Sequence, residues 1–149
     1  MPEVTTATLA DIPQLVGLLT ILFTHEVELA PDPAKQERAL RLIIEQPDQG
    51  RIFCMREGER VLGMVSILFT VSTAEGGRSG WLEDMVIRPD RRNMGLGTRL
   101  LQHAVAYAKS HGFTRITLLT DKINEKTIRF YEKNGFQHSE MVPMRLHLG

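Results

Sequence analysis

The spacing of apolar residues changes period several times along the chain, and each change marks a predicted element. Residues 4–8 alternate apolar and small polar side chains, the period of a strand. Ile12, Leu15, Val16, Leu19, Leu22 and Phe23 then recur at helical spacing behind Asp11 and Gln14, a pair that resembles a capping box. Pro31-Asp32-Pro33 breaks that helix. Asp32 is placed to cap a second one, with Pro33 at its first position, where a missing N–H does no harm. Ala39, Leu40, Ile43 and Ile44 form its apolar stripe, and Pro47 ends it.

From Gly50 onward the composition turns to β-branched and aromatic residues. Residues 51–56 and 61–73 predict a hairpin around Glu57-Gly58-Glu59-Arg60. Residues 75–80 predict a loop and residues 81–88 the next strand, closed by Pro89. Helical spacing returns after Gly95, with Leu96, Leu100, Leu101, Ala104 and Ala108 on one face and Gly112 at the end. Residues 114–120 predict a buried strand. Asn124 caps a short helix through Lys133, stopped by Gly135, and residues 136–140 and 143–148 predict two last extended pieces. The order β-α-α-β-β-β-α-β-α-β-β predicts an α/β (α+β) domain around one mixed sheet. The whole chain, 1–149, reads as a single domain without repeat, linker or low-complexity tract.

Composition narrows this picture mostly by exclusion. Lys and Arg number 18, as do Asp and Glu, so net charge gives no argument for a nucleic acid or a membrane surface. Any anionic ligand must be held by local chemistry. Cys54 is the only cysteine, which excludes a disulfide framework and argues against cysteine-bound zinc; its apolar strand predicts a buried, inert thiol. His103, His111, His138 and His147 lack ligand-like spacing, so no metal is expected. Met1-Pro2-Glu3-Val4 lacks the character of a signal peptide, and no apolar run approaches the roughly 20 residues that cross a bilayer. The reading is a cytoplasmic protein.

Residues 89–101 carry the strongest chemical signal. A strand ends at a proline, and Gly95 and Gly97 open an amphipathic helix. Glycine lets backbone approach a ligand, the first-turn amides point at the same place, and the helix dipole favours negative charge there. Arg91, Arg92 and Arg99 add mobile positive charge. The result is either an anion seat suited to a pyrophosphate or a tight turn that needs glycine for shape alone. A P-loop is excluded because Gly97-Thr98-Arg99 lacks the lysine, and a dinucleotide fingerprint because Leu100 stands where its third glycine belongs.

Arg92-Asn93-Met94-Gly95-Leu96-Gly97 resembles the Arg/Gln-x-x-Gly-x-Gly/Ala signature of the GNAT superfamily of acetyl-coenzyme A dependent N-acetyltransferases. Upstream, Leu82-Glu83-Asp84-Met85-Val86-Ile87-Arg88-Pro89 looks like that family's fourth strand. Downstream, Asn124-x-x-Thr127-x-x-Phe130-Tyr131-x-x-x-Gly135-Phe136 is similar to its late helix, with Thr127 replacing the usual alanine. The resemblance is close over residues 81–136 and topological elsewhere.

The resemblance implies a GNAT-like acyl-CoA acyltransferase fold whose fourth and fifth strands splay apart to admit the pantetheine arm of acetyl-coenzyme A. It implies that backbone groups of Met85, Val86 and Ile87 pair with that arm and polarise the thioester carbonyl. The amides of Arg92, Asn93, Met94, Gly95, Leu96 and Gly97, with Thr98, would take the pyrophosphate, and Asn124 the pantetheine. Asn124 serves equally as a helix N-cap without any cofactor. Tyr131 becomes the general acid at the cofactor's sulfur, while its helix face also suits a core tyrosine. Glu83 is the favoured base, directly or through a water. Strict alternation turns the Asp84 side chain the opposite way, so at most one of the two faces the acceptor cleft, and Asp84 is either the base in place of Glu83 or a structural acceptor for backbone or a nearby arginine. The implied activity is acetyl transfer to a primary amine by direct attack; the alternative is a non-catalytic acetyl-CoA-binding sensor or interaction module. His25, Glu26 and Glu28 are placed to line an acceptor pocket or to form a solvated helix end. The acceptor is a small-molecule or protein amine, and a homodimer follows family habit.

Overall fold

Alternation becomes a strand where the segment has both a partner and a covered face. Five segments meet that condition: β1 (Glu3–Thr6), β2 (Gly50–Glu57), β3 (Arg60–Ser72), β4 (Gly77–Ile87) and β5 (Arg115–Leu118). They form one sheet in the order β1-β2-β3-β4-β5, antiparallel throughout except for the parallel β4–β5 pair. The computed structural model describes Met1–Gly149 and divides into two units, Met1–Leu119 and Thr120–Gly149. The sheet belongs to the first.

Helices α1 (Ile12–Thr24) and α2 (Pro33–Ile44) cover one face of the sheet, α3 (Leu96–Ser110) the other. Leu15, Leu18, Leu19 and Leu40 pack there against Ile52, Cys54, Val61, Met64 and Val86. Each fully buried leucine contributes about 1.5–3 kcal/mol by leaving water. On the opposite face the Phe53 ring meets His103 at 4.7 Å and Tyr107 at 5.3 Å, both edge-on, and His111 stacks on Tyr107 at 4.0 Å. Both histidines make these ring contacts from exposed positions.

Helix ends follow the local chemistry in most places. The Asp32 carboxylate accepts the Lys35 N–H at 3.2 Å, and Gly112 adopts φ +76° just after α3. Asp11 and Gln14 do not form the expected box. Asp11 instead accepts the Thr8 N–H at 2.9 Å and pairs with Arg56 at 2.8 Å, its side chain nearly buried. Gln14 reaches the hairpin turn, accepting from the Val61 N–H at 2.8 Å and donating to the Glu59 carbonyl at 2.9 Å. A half-buried arginine and unpaired turn backbone are stronger claimants for these side chains than helix amides already near water.

Residues 77–80, expected as loop, are the start of β4. Glycine there serves close approach: a Cβ on Gly80 would lie 2.9 Å from the Ile67 Cδ1 on β3.

The second unit holds α4 (Glu125–Lys133), with Gly135 at φ +94° after it. The two last strands expected from the pattern are absent. No ladder forms after α4, and Met144, Leu146 and Leu148 stay exposed. Alternation suits a strand, but without a paired backbone it does not make one.

Candidate functional site

The opening between β4 and β5 is set by where their pairing stops. Their parallel ladder runs from Ser79↔Arg115 to Leu82↔Leu118 and ends there, while β4 continues to Ile87. Beyond Leu82, β4 keeps β3 as a neighbour and leaves its other edge without a strand. Such an edge accepts an extended ligand as an added strand. The Met85, Val86 and Ile87 backbone lies in this stretch.

The same stretch is bulged. Met64 pairs with Val86 and Ser66 with Glu83, so Val65 faces both Asp84 and Met85. Asp84 takes φ +54°, a left-handed conformation that Asp tolerates better than most residues. The bulge breaks the alternation that would separate Glu83 from Asp84. Glu83 is exposed, whereas Asp84 lines a cavity of about 250 Å³ formed with α1, α2 and the segment between them. Burial pushes the Asp84 carboxyl up to about 7, and the nearby charges of Glu83 and Glu26 push the same way. Across the strand from Glu83, the buried Ser66 hydroxyl has no hydrogen-bond partner. A carboxyl near 7 in a cavity is suited to taking a proton at neutral pH. No periodicity signals it; the hint in the sequence is the pair of adjacent carboxylates, Glu83 and Asp84, late in β4.

After β4 the chain makes a 3₁₀ turn, Pro89–Arg91, and then the loop into α3. Asn93 and Gly95 both lie at positive φ, +63° and +77°. Space beside Gly95 is open: a Cβ there would meet nothing within 4 Å. Helical pairing in α3 begins with the Arg99 N–H on the Gly95 carbonyl at 3.1 Å, so the amides of Leu96, Gly97 and Thr98 precede the ladder. Left-handed residues alternating with others turn successive amides into a concave seat, and the helix dipole adds to it. Backbone donors gathered in this way can receive an anion.

The arginines beside the cradle are less mobile than their sequence positions suggest. Arg91 pairs with Glu57, Arg92 donates through Nε to the Ile87 carbonyl at 3.0 Å, and Arg99 to the Pro2 carbonyl at 2.7 Å. Each partner holds the Glu57–Arg91 pair in its charged form, lowering the carboxyl and raising the guanidinium. Asp90 pairs with Arg60 at 3.1 Å. The Arg91 and Asp90 pairs fasten the segment before the loop to the β2–β3 hairpin. The anion seat is therefore mainly backbone.

In the second unit, the Asn124 side chain accepts the Thr127 N–H at 3.1 Å, the capping role its position allowed. Tyr131 is buried between Phe130 and Phe136, edge-on at 5.2 and 5.6 Å, so it is a packed residue whatever else it does. Cys54 is fully buried; burial and then Asp11 push its thiol up to about 12 against the lowering pull of Arg56. It is inert.

A sequence model of the acetyltransferase (GNAT) family matches residues 14–136, and the chain belongs to that family. The chain is 34% identical over 99 residues to a glucosamine 6-phosphate N-acetyltransferase of Trypanosoma brucei brucei, a match spanning 66% of this chain and 65% of that relative. An integron cassette protein from the mobile metagenome of Cole Harbour Salt Marsh superposes with a TM-score of 0.85 at 26% identity, covering 99% of this chain and 91% of its own. A protein from Clostridium acetobutylicum described as a predicted acetyltransferase and solved with acetyl-CoA shares the fold with a TM-score of 0.77 at 22% identity, over 97% of this chain and 96% of its own. No helix is long and apolar enough to cross a membrane.

Proposed function

We propose that the protein is an N-acetyltransferase that moves the acetyl group of acetyl-coenzyme A to a primary amine by direct attack. The observation that carries this reading is the end of the β4–β5 ladder at Leu82, which leaves a free strand edge between a backbone anion cradle and a cavity carboxyl. Acetyl-coenzyme A supplies the activated acetyl thioester. Amides from Arg92 to Gly97, with Thr98, hold its pyrophosphate, and the Met85, Val86 and Ile87 backbone aligns the arm and polarises the carbonyl. Asn124 is assigned to the pantetheine by the family motif.

Asp84 takes the proton that the attacking nitrogen must lose; burial, and after it the charge of exposed Glu83, keep the carboxyl basic. As the new C–N bond forms the C–S bond breaks, and the Tyr131 phenol protonates the departing sulfur. That role rests on its place in the matched motif. The acceptor is an amine of small-molecule or protein origin, and the named substrate of the trypanosomal relative is one compound to test. A cytoplasmic setting agrees with a single unpaired cysteine. A homodimer is assigned from the family; light scattering checks it.

Calorimetric titration with acetyl-coenzyme A, followed by thiol release with primary amines, tests the reading. Saturable binding with turnover is expected; binding without turnover for any amine assigns a sensor instead. Tyr131→Phe is expected to lower kcat by roughly 10 to 1,000-fold while leaving cofactor affinity intact. Unchanged kcat with chemistry rate-limiting removes Tyr131 from the mechanism.

A further inference from the structure

We infer that the acceptor is a small primary amine with an apolar body, seated between α1 and α2 with its nitrogen toward Asp84. The inference rests on the acetyl-transfer reading and gives it a substrate class. Leu19 and Phe23 of α1, Leu29 of the connecting segment, and Leu40 and Ile43 of α2 wall the cavity with carbon. Its polar residues divide by what they already do. Both ends of the Gln36 amide are engaged: it donates to the Val16 carbonyl and the Thr20 hydroxyl at 3.1 Å, and accepts the Asp32 N–H at 2.7 Å. Lys35 and Asp32 lie 4.0 Å apart with exposed side chains, so their charges offset at the rim. Asp84 is the remaining charge-bearing group, with Glu83 and Glu26 adding negative potential around it.

This arrangement selects among amines. Negative potential at the inner end favours a cation and repels a phosphorylated amino sugar. Carbon walls disfavour a polyamine, whose second ammonium would lose its hydration without a partner. The volume of about 250 Å³ lies below the roughly 300–1,000 Å³ of pockets for drug-sized ligands, which excludes an aminoglycoside from full entry. An aliphatic or aryl side chain of a few carbons, ending in one amine, satisfies all three conditions.

The test compares thiol release from acetyl-coenzyme A with phenethylamine, isoamylamine, spermidine, a phosphorylated amino sugar and an aminoglycoside as acceptors. The two apolar amines are expected to show kcat/KM at least tenfold above the others. Ala39→Phe, at an exposed helix position on the cavity, is expected to raise KM for phenethylamine at least tenfold with acetyl-coenzyme A affinity unchanged. Preference for a polar acceptor, or an unmoved KM in a folded variant, overturns the inference while acetyl transfer stands. Loss of acetyl-coenzyme A binding in the wild type overturns the reading beneath it. The acceptor comparison on the wild type holds even if the variant does not fold.

Discussion

One aspartate carries most of the chemistry proposed for the first unit. Asp84 acts as a base only when ionised, and its carboxyl is raised from 3.8 to about 7. The facing charged groups are Glu83 on its own strand, Glu26 after α1, and the offset Asp32–Lys35 pair on α2. With a cofactor and amine bound, kcat is expected to rise about tenfold per pH unit below 7 and to level off above it. Asp84→Asn abolishes that limb and lowers kcat by roughly 10² to 10⁴-fold. Glu83→Gln keeps it but moves it to lower pH, because a like charge is gone. A limb lost in Glu83→Gln and kept in Asp84→Asn would transfer the role to Glu83. The same shift has a stability consequence of fixed sign. A carboxyl raised on folding binds its proton more tightly in the native state, so its contribution is full below pH 3.8 and is lost as pH rises from there through about 7. Asp84→Asn should therefore raise stability at pH 8, by an amount on the order of a few kcal/mol measured by denaturant unfolding.

Among the elements, the loop before α3 was legible in the sequence and the bulge in β4 was not. Gly95 stands out because a residue at φ +77° beside open space has few substitutes. Asp also tolerates the left-handed region, so Gly95→Asp tests the cradle without the strain of a branched side chain. Its carboxylate would occupy the phosphate approach, and acetyl-coenzyme A affinity is expected to fall at least tenfold in calorimetry, with the unfolding midpoint little changed. Intact affinity would move the pyrophosphate elsewhere. The loop's arginines illustrate the limit of the same reading. Their charge was visible, but Glu57 and the carbonyls of Ile87 and Pro2 that engage them come from distant parts of the chain or the end of the preceding strand. Gln14 is a parallel case: its spacing from Asp11 fits a cap, yet its amide closes on a hairpin more than forty residues away.

At the scale of the molecule, Cys54 reports on opening of the sheet core. It is fully buried on β2 with its thiol pushed up to about 12, so a thiol reagent reaches it only when the first unit opens. Acetyl-coenzyme A at a hundred times its Kd is expected to slow labelling by roughly 100-fold, the equivalent of about 2.7 kcal/mol. Labelling that is fast and indifferent to the cofactor would mean that β2 opens locally. The sequence by itself determined the class of the fold, the order through α4 and the glycine turn that opens α3, because these depend on periodicity, on Pro and Gly geometry and on neighbours within one turn of helix. Tertiary structure alone decided which carboxylate enters the cavity, which arginines are already engaged, that the glycine-rich run pairs as strand and that the final alternating segment does not. Those outcomes depend on register and on partners far along the chain, and a single bulged residue is enough to reverse the face a side chain occupies.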